Sequence, residues 1–265
     1  MKMPDSSTGT PALLLRAYGR TVSLQGPVPA LEAAREWLPP TFRLGGLPPE
    51  RRWAVCEHSA TEWTAAVDDE VFTCRPSLLE ATEAALSDLE LWVAERARRG
   101  VFVHAGCVAV DGRAVVLPGR SLSGKSSLTA ALLRAGADYY SDEYAVLDSQ
   151  GLVHPYPRKL LLREHVGAGG ERVAADLVGG RIGRGPARIK LIAALRFDPA
   201  AGWQSVPLTR GAAILRLLDN TVPARSRPRA VLSALEGATS GASAFEGTRG
   251  EADEAASRIM ATLSG

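Results

Sequence analysis

Cysteine is scarce, and the few present are badly placed for bonding. Cys56, Cys74 and Cys107 are odd in number, far apart and without C-x-x-C spacing, which argues against a disulfide framework and against a zinc site. A reducing compartment suits such a chain, and a cytoplasmic location is expected. Long apolar runs are missing too: none approaches the length that crosses a bilayer. Residues 1–9 read as a polar tail rather than a secretory signal. Charge of one sign is lacking, since 31 Lys and Arg stand against 29 Asp and Glu for a net charge of +2. That balance implies neither a nucleic acid nor a membrane surface as partner, and no basic tract is interleaved with aromatics. Internal repeats and low-complexity tracts are absent. At 265 residues, with 46% hydrophobic and 23% charged residues, the composition is that of a globular chain long enough for one large domain, or a large one and a small one.

Against this background one segment stands out. Gly119-Arg120-Ser121-Leu122-Ser123-Gly124-Lys125-Ser126 fits G-x-x-x-x-G-K-[ST], the loop whose glycines let backbone N–H groups turn inward on a phosphate. It stands between an apolar strand, Ala114-Val115-Val116-Leu117, and a helix that starts near Gly124, carries Leu128, Ala131, Leu132 and Ala135 on one face and stops at Gly136. The helix N-terminus adds partial positive charge. Lys125 is expected to reach the outer phosphates and Ser126 to place a hydroxyl on the Mg²⁺ that accompanies ATP or GTP. Ser127 completes the nucleotide-binding run.

Upstream, the apolar run from Val101 to Val110 passes through Asp111-Gly112 directly into the strand before the loop. Asp-Gly between two apolar runs predicts a hairpin. Most phosphate-binding loops of this type are fed by a parallel βαβ crossover, so an antiparallel hairpin argues against the ordinary GTPase and ATPase architecture. His104 lies early on the neighbouring strand. Downstream, Ala137-Asp138-Tyr139-Tyr140 predicts a short strand ending in Ser141-Asp142-Glu143, which can turn two carboxylates toward the phosphates.

From His104 through the loop to Asp142-Glu143, the sequence resembles the catalytic domain of HPr kinase/phosphorylase and more closely its smaller relatives, which include kinases that tailor lasso peptides. In that family a histidine sits on the hairpin before the loop and an acidic pair follows the loop's helix. The resemblance extends more weakly through Arg188-Ile189-Lys190-Leu191-Ile192 and Leu208-Thr209-Arg210-Gly211. It implies an α/β fold: an HPr kinase/phosphoenolpyruvate carboxykinase-like P-loop domain with a mixed sheet and a β-hairpin before the loop, preceded here by a small β-rich module. It also implies a serine kinase that uses ATP and Mg²⁺ on a peptide or small protein, with a homo-oligomer as a further expectation. Two positions differ from the HPr kinases proper: Leu122 stands where they usually carry glycine, and Asp142-Glu143 where they carry two aspartates. Their arginine-glycine segment is not plain either, Arg158–Arg163 being a candidate.

The acidic pair admits two assignments. Asp142 is read as the base that accepts the proton of the attacking hydroxyl, and Glu143 as its Mg²⁺-holding neighbour with Ser126; the reverse assignment stays open. His104 is either a core histidine bonded to backbone or a residue that orients the base or contacts phosphate. Arg181, Arg184 and Arg188 are candidates for steadying transition-state charge, against a solvated-loop alternative. The function expected is γ-phosphoryl transfer to a serine-type hydroxyl of a peptide or protein. The alternative is a nucleotide-binding switch or NTPase with no acceptor but water.

The remaining chain divides by pattern. Residues 1–75 read as a small β-rich module with strands over 12–18, 21–24, 53–58, 63–67 and 71–74, a turn at Asp68-Asp69 and a short helix near 30–38. A connecting helix over 76–100 opens with Ser77 and Glu80 at capping-box spacing, carries Leu78, Ala81, Ala85, Leu89, Trp92 and Val93 as an apolar stripe, and ends at Gly100. The P-loop domain follows over 101–265. Glycine and arginine crowd residues 167–188, which read as a mobile loop, and helices are expected over 210–218, 230–235 and 251–263.

Overall fold

The computed structural model describes residues 10–46, 48–119, 123–163 and 170–264. The chain forms two compact units, Met1–Arg99 and Gly100–Gly265.

In the first unit, β1 (Ala12–Ala17) and β2 (Arg20–Gln25) form a hairpin. Its two-residue turn needs positive φ at both positions, 50° at Tyr18 and 79° at Gly19. Then come α1 (Val28–Trp37), β3 (Arg43–Leu44), β4 (Arg51–Ser59), β5 (Glu62–Val67), β6 (Glu70–Arg75) and α2 (Leu78–Arg96). The six strands lie in the order β3-β1-β2-β4-β5-β6. Alternation decides the core face: Leu13, Leu15 and Ala17 of β1, Leu24 of β2 and Trp53 and Val55 of β4 are buried. Trp53 packs edge-on against Trp92 at 5.7 Å and donates its indole N–H to Asp88 at 2.8 Å. The Ser77 hydroxyl accepts the Glu80 N–H at 3.2 Å and caps α2. This helix, expected as a connector between two parts, belongs to the first unit and lies against β4, β5 and β6. Cys56 and Cys74 stand two strands apart, with Thr64 of β5 between them in register.

The second unit opens with the expected hairpin. β7 (Val101–Val110) and β8 (Arg113–Pro118) pair antiparallel through Asp111 and Gly112, both at positive φ. After α3 (Lys125–Arg134) come β9 (Asp138–Ser141), β10 (Tyr144–Leu147), β11 (Val153–His154), β12 (Leu160–Arg163), β13 (Gly170–Val173), β14 (Arg181–Ile182), β15 (Arg188–Phe197), β16 (Gln204–Pro207), α4 (Arg210–Leu218), α5 (Pro228–Ala238), β17 (Ser243–Arg249) and α6 (Ala252–Ser264). The main sheet runs β11-β10-β7-β8-β15-β17-β16, with β9 joined to β7 and β14. It is mixed, because β8, β15 and β17 run parallel while the hairpin partners run antiparallel. Successive side chains of β7 and β8 point to opposite faces. Val108, Val115 and Leu117 pack with Leu128, Leu132 and Ile259 of α3 and α6. Cys107, Ala114 and Val116 pack with Leu217, Val231 and Leu235 of α4 and α5. Helices therefore cover both faces.

Of the loop expected over 167–188, residues 167–169 lie outside the described residues, and the rest departs from that expectation. From Gly170 on they form β13, a short 3-10 turn at Ala175–Val178 and β14, which pairs parallel with β9. Two of their glycines serve close packing rather than mobility, as a side chain at Gly180 or Gly183 would strike Leu133 or Tyr140. Among the described residues no helix is long and apolar enough to cross a membrane.

Candidate active site

Strand β7 positions the site by changing partners along its length. Its first half pairs with β10, placing His104 opposite Tyr144; its second half pairs with β9, placing Cys107 opposite Ser141. Between these two pairings the chain from Ser141 to Tyr144 leaves the ladder, and Asp142 and Glu143 sit at that corner. Ser141 holds it: its buried hydroxyl accepts the N–H of Glu143 at 3.1 Å and of Tyr144 at 3.0 Å. The Ala105 N–H donates to the Glu143 carbonyl at 3.1 Å.

The end of β8 delivers Gly119 to the same place. Arg120, Ser121 and Leu122 lie outside the described residues. Gly124 stands at the start of α3 with φ 84°, a left-handed conformation that favours glycine. The Lys125 ammonium donates to the Gly119 carbonyl at 2.7 Å. Burial pulls the Lys125 pKa down, while the charges of Glu143 and Asp142 pull it back up. Ser123 Oγ is buried without a hydrogen-bond partner among the described residues. Ser127, on the first turn of α3, is exposed.

The two carboxylates occupy different environments. Asp142 is only 6% exposed. Its Oδ2 accepts from the Ser126 hydroxyl at 3.2 Å and the Leu161 N–H at 3.4 Å, and its Oδ1 from the Tyr139 hydroxyl at 3.0 Å. Burial raises its pKa above the usual aspartate value, and the nearby Arg158 charge opposes that rise. Glu143 is half-buried, with Oε1 3.5 Å from His104 Nε2. Burial lowers the His104 pKa, Glu143 raises it, and Lys125 and Arg158 lower it further. The ring of His104 lies 4.8 Å from that of Tyr144, and its Nδ1 is buried without a partner among the described residues.

Sequence reasoning missed Arg249, at the end of β17. It is 2% exposed, donates to the Gly124 carbonyl at 2.8 Å and to the Gly250 carbonyl at 2.8 Å, and lies over the Phe197 ring at 5.1 Å. The Phe197 N–H donates to the Ser123 carbonyl at 3.3 Å. Two distant strands thus fasten the end of the loop. No local motif marks Arg249; only the parallel pairing of β15 with β17 brings it there. Arg158, in the candidate arginine-glycine segment, acts by its charge on both Asp142 and His104, and its carbonyl shares the Tyr139 hydroxyl donor with Asp142, at 2.8 Å. Arg181 and Arg188 do not reach the site. They pair with Asp138 and Arg113, at the end of the sheet where β9 and β8 begin, whereas the loop and the acids follow the ends of those strands.

Chemically, Ser126 and Asp142 offer hard oxygen donors at adjoining positions, the kind of set that holds Mg²⁺ together with phosphate oxygens. No cluster of three or more His, Cys, Asp or Glu among the described residues forms a metal cage alone. No protein-family model and no curated protein matches this chain. Among solved structures, it is similar to the Hpr(Ser) kinase/phosphatase from Coxiella burnetii, at 16% identity over 62% of this chain and 99% of that one, with a TM-score of 0.35.

Proposed function

We propose that the second unit is an ATP-dependent kinase that transfers the γ-phosphoryl group to a serine-type hydroxyl of a peptide or protein. The observation that carries this reading is the division of labour between neighbouring acids: Asp142 bonded to the Ser126 hydroxyl, and Glu143 turned to His104. In P-loop enzymes the loop's Ser or Thr and an acid hold Mg²⁺ between them. Asp142 then serves the metal and Glu143 the proton, the reverse of the assignment favoured from sequence. Lys125 would exchange its bond to the Gly119 carbonyl for phosphate oxygens, and the unpartnered Ser123 hydroxyl supplies a further donor. Bound Mg²⁺ would neutralise phosphate charge. Glu143 is half-exposed, open enough for an acceptor hydroxyl to approach. His104 then positions its carboxylate.

The test is transfer of labelled γ-phosphate from ATP to serine peptides, with free phosphate followed in parallel. Glu143→Gln should keep Mg-ATP bound and lower transfer by roughly 10²–10⁴. Asp142→Asn should weaken Mg-dependent nucleotide binding, with partial rescue by excess Mg²⁺. Lys125→Ala should weaken binding about tenfold or more, from the loss of a charge-assisted contact. Equal calorimetric affinity of Lys125→Ala and the parent for Mg-ATP would sink the phosphate-loop reading. Label released only as free phosphate, at a rate indifferent to Glu143→Gln and to every peptide, would leave the nucleotide switch as the better account.

A further inference from the structure

The first unit holds a cavity of about 670 Å³ lined by Arg16, Tyr18, Thr41, Arg43, Arg98 and Arg99, among others. Its arginines come from three places: β1, the edge strand β3, and the chain just after α2. Arg16 and Arg43 stand directly opposite each other in the ladder, where like charges repel. Arg98 is fixed by its N–H, which donates to the Tyr18 carbonyl at 2.9 Å, and by its Cβ, which packs against Gly19. Elsewhere in this unit Arg20, Arg51, Arg52 and Arg96 each pair with a carboxylate. None of the four cavity arginines has an ion pair among the described residues. Glu50 accepts from Arg20 and the Thr21 N–H, although the Arg98 charge also reaches it. Glu90, whose charge acts on Tyr18, is buried in α2.

Four guanidinium groups held around one cavity with no ion pair among the described residues are arranged to receive anions. We propose that this cavity binds an acidic segment of an extended peptide. Carboxylates match the planar fork of each guanidinium. The arginines come from separate elements, β1, β3 and the chain after α2, rather than from one glycine-rich loop. One wall is β3, an edge strand that leaves backbone groups open to an added strand, with Leu44 64% exposed beside Arg43 as an apolar contact. Binding of the first carboxylates relieves the repulsion between Arg16 and Arg43.

The experiment uses the full chain without nucleotide, so its outcome is separate from that of the kinase assay. Fluorescence anisotropy follows a labelled ten-residue peptide of alternating Glu and Ala, the same peptide with Gln for Glu, and a labelled ten-nucleotide oligouridylate. The acidic peptide is expected to bind at least roughly tenfold tighter than the Gln peptide, and to weaken as salt rises. Arg16→Glu/Arg43→Glu should abolish that preference. Arg98→Gln/Arg99→Gln should reduce it without altering the edge strand, and a control pair in the second unit, Arg225→Glu/Arg229→Glu, should leave it intact. The proposal is overturned if the acidic peptide fails to bind below about 1 mM, if the control pair weakens it as much as the cavity pairs do, or if the oligouridylate binds as tightly as the peptide.

Discussion

Arg249 shows what a single side chain contributes to the loop. Its guanidinium serves the carbonyls of Gly124 and Gly250 from a buried position, so Arg249→Ala leaves two acceptors unserved. A loss of roughly 1–3 kcal/mol of stability is expected, read as a lower calorimetric midpoint, together with weaker Mg-ATP binding. Arg249→Lys should rescue little, because a lysine lacks the planar fork that spans two carbonyls over Phe197. An Arg249→Ala protein with unchanged midpoint and affinity would return this residue to a packing role. Asp148 gives the acid dependence. Burial would raise its pKa, but the hydrogen bond from His154 and the N–H groups of Leu152 and Gln150 outweigh burial and hold it below the ordinary value. Its stabilising contribution is therefore complete above the unfolded value of about 3.9 and is lost as pH falls through the lower folded value. Denaturant titrations in that acid range should show a shallower loss in Asp148→Asn than in the parent. The start of α3 at Gly124-Lys125-Ser126 was legible because its signals are contiguous. Arg249 was not, since its role depends on a strand partner more than fifty residues away in the chain and on no spacing of its own.

At the scale of the element, the corner after β9 governs the acids. Ser141→Ala removes the acceptor of one buried amide, Tyr144, and one part-buried amide, Glu143, at a cost of roughly 1–3 kcal/mol for the buried one. Urea unfolding should show that loss, and transfer activity should fall with it, because Glu143 is aimed by the same corner. Normal stability in Ser141→Ala would mean that the ladder alone holds the turn. Elements whose signals are local could be read in advance. The hairpins at Asp68-Asp69 and Asp111-Gly112 use residues that tolerate positive φ, and α2 carries its own cap and stripe. Elements defined by pairing could not. β3 and β14 have two residues each, too few for any period, and β17 reads Ser-Ala-Phe-Glu-Gly-Thr-Arg, a pattern with little apolar alternation. The glycines and arginines of 167–188 suggest mobility, whereas close packing against Leu133 and Tyr140 explains Gly180 and Gly183.

For the whole molecule, the two proposed sites fall on different stretches of chain, one in each unit. Hydrogen exchange should separate them: Mg-ATP slows amides of β8 and α3 through stabilisation that reaches about 2.7 kcal/mol at a hundredfold excess over Kd, and the acidic peptide slows those of β1 and β3. Protection of β8 by the peptide alone, with β1 and β3 unaffected, would contradict that assignment. The thiols carry a consequence of another kind. Adjacent strands lie about 4.8 Å apart, so Cys56 and Cys74, separated by Thr64, stand roughly 9–10 Å from each other at the backbone, beyond the span of about 7 Å that a disulfide can bridge. Cys107 is fully buried, and burial drives its thiol far from ionisation. Crossing a redox boundary therefore leaves Cys56 and Cys74 unjoined and Cys107 sealed in the core, and only the exposed Cys74 thiol meets an oxidant directly.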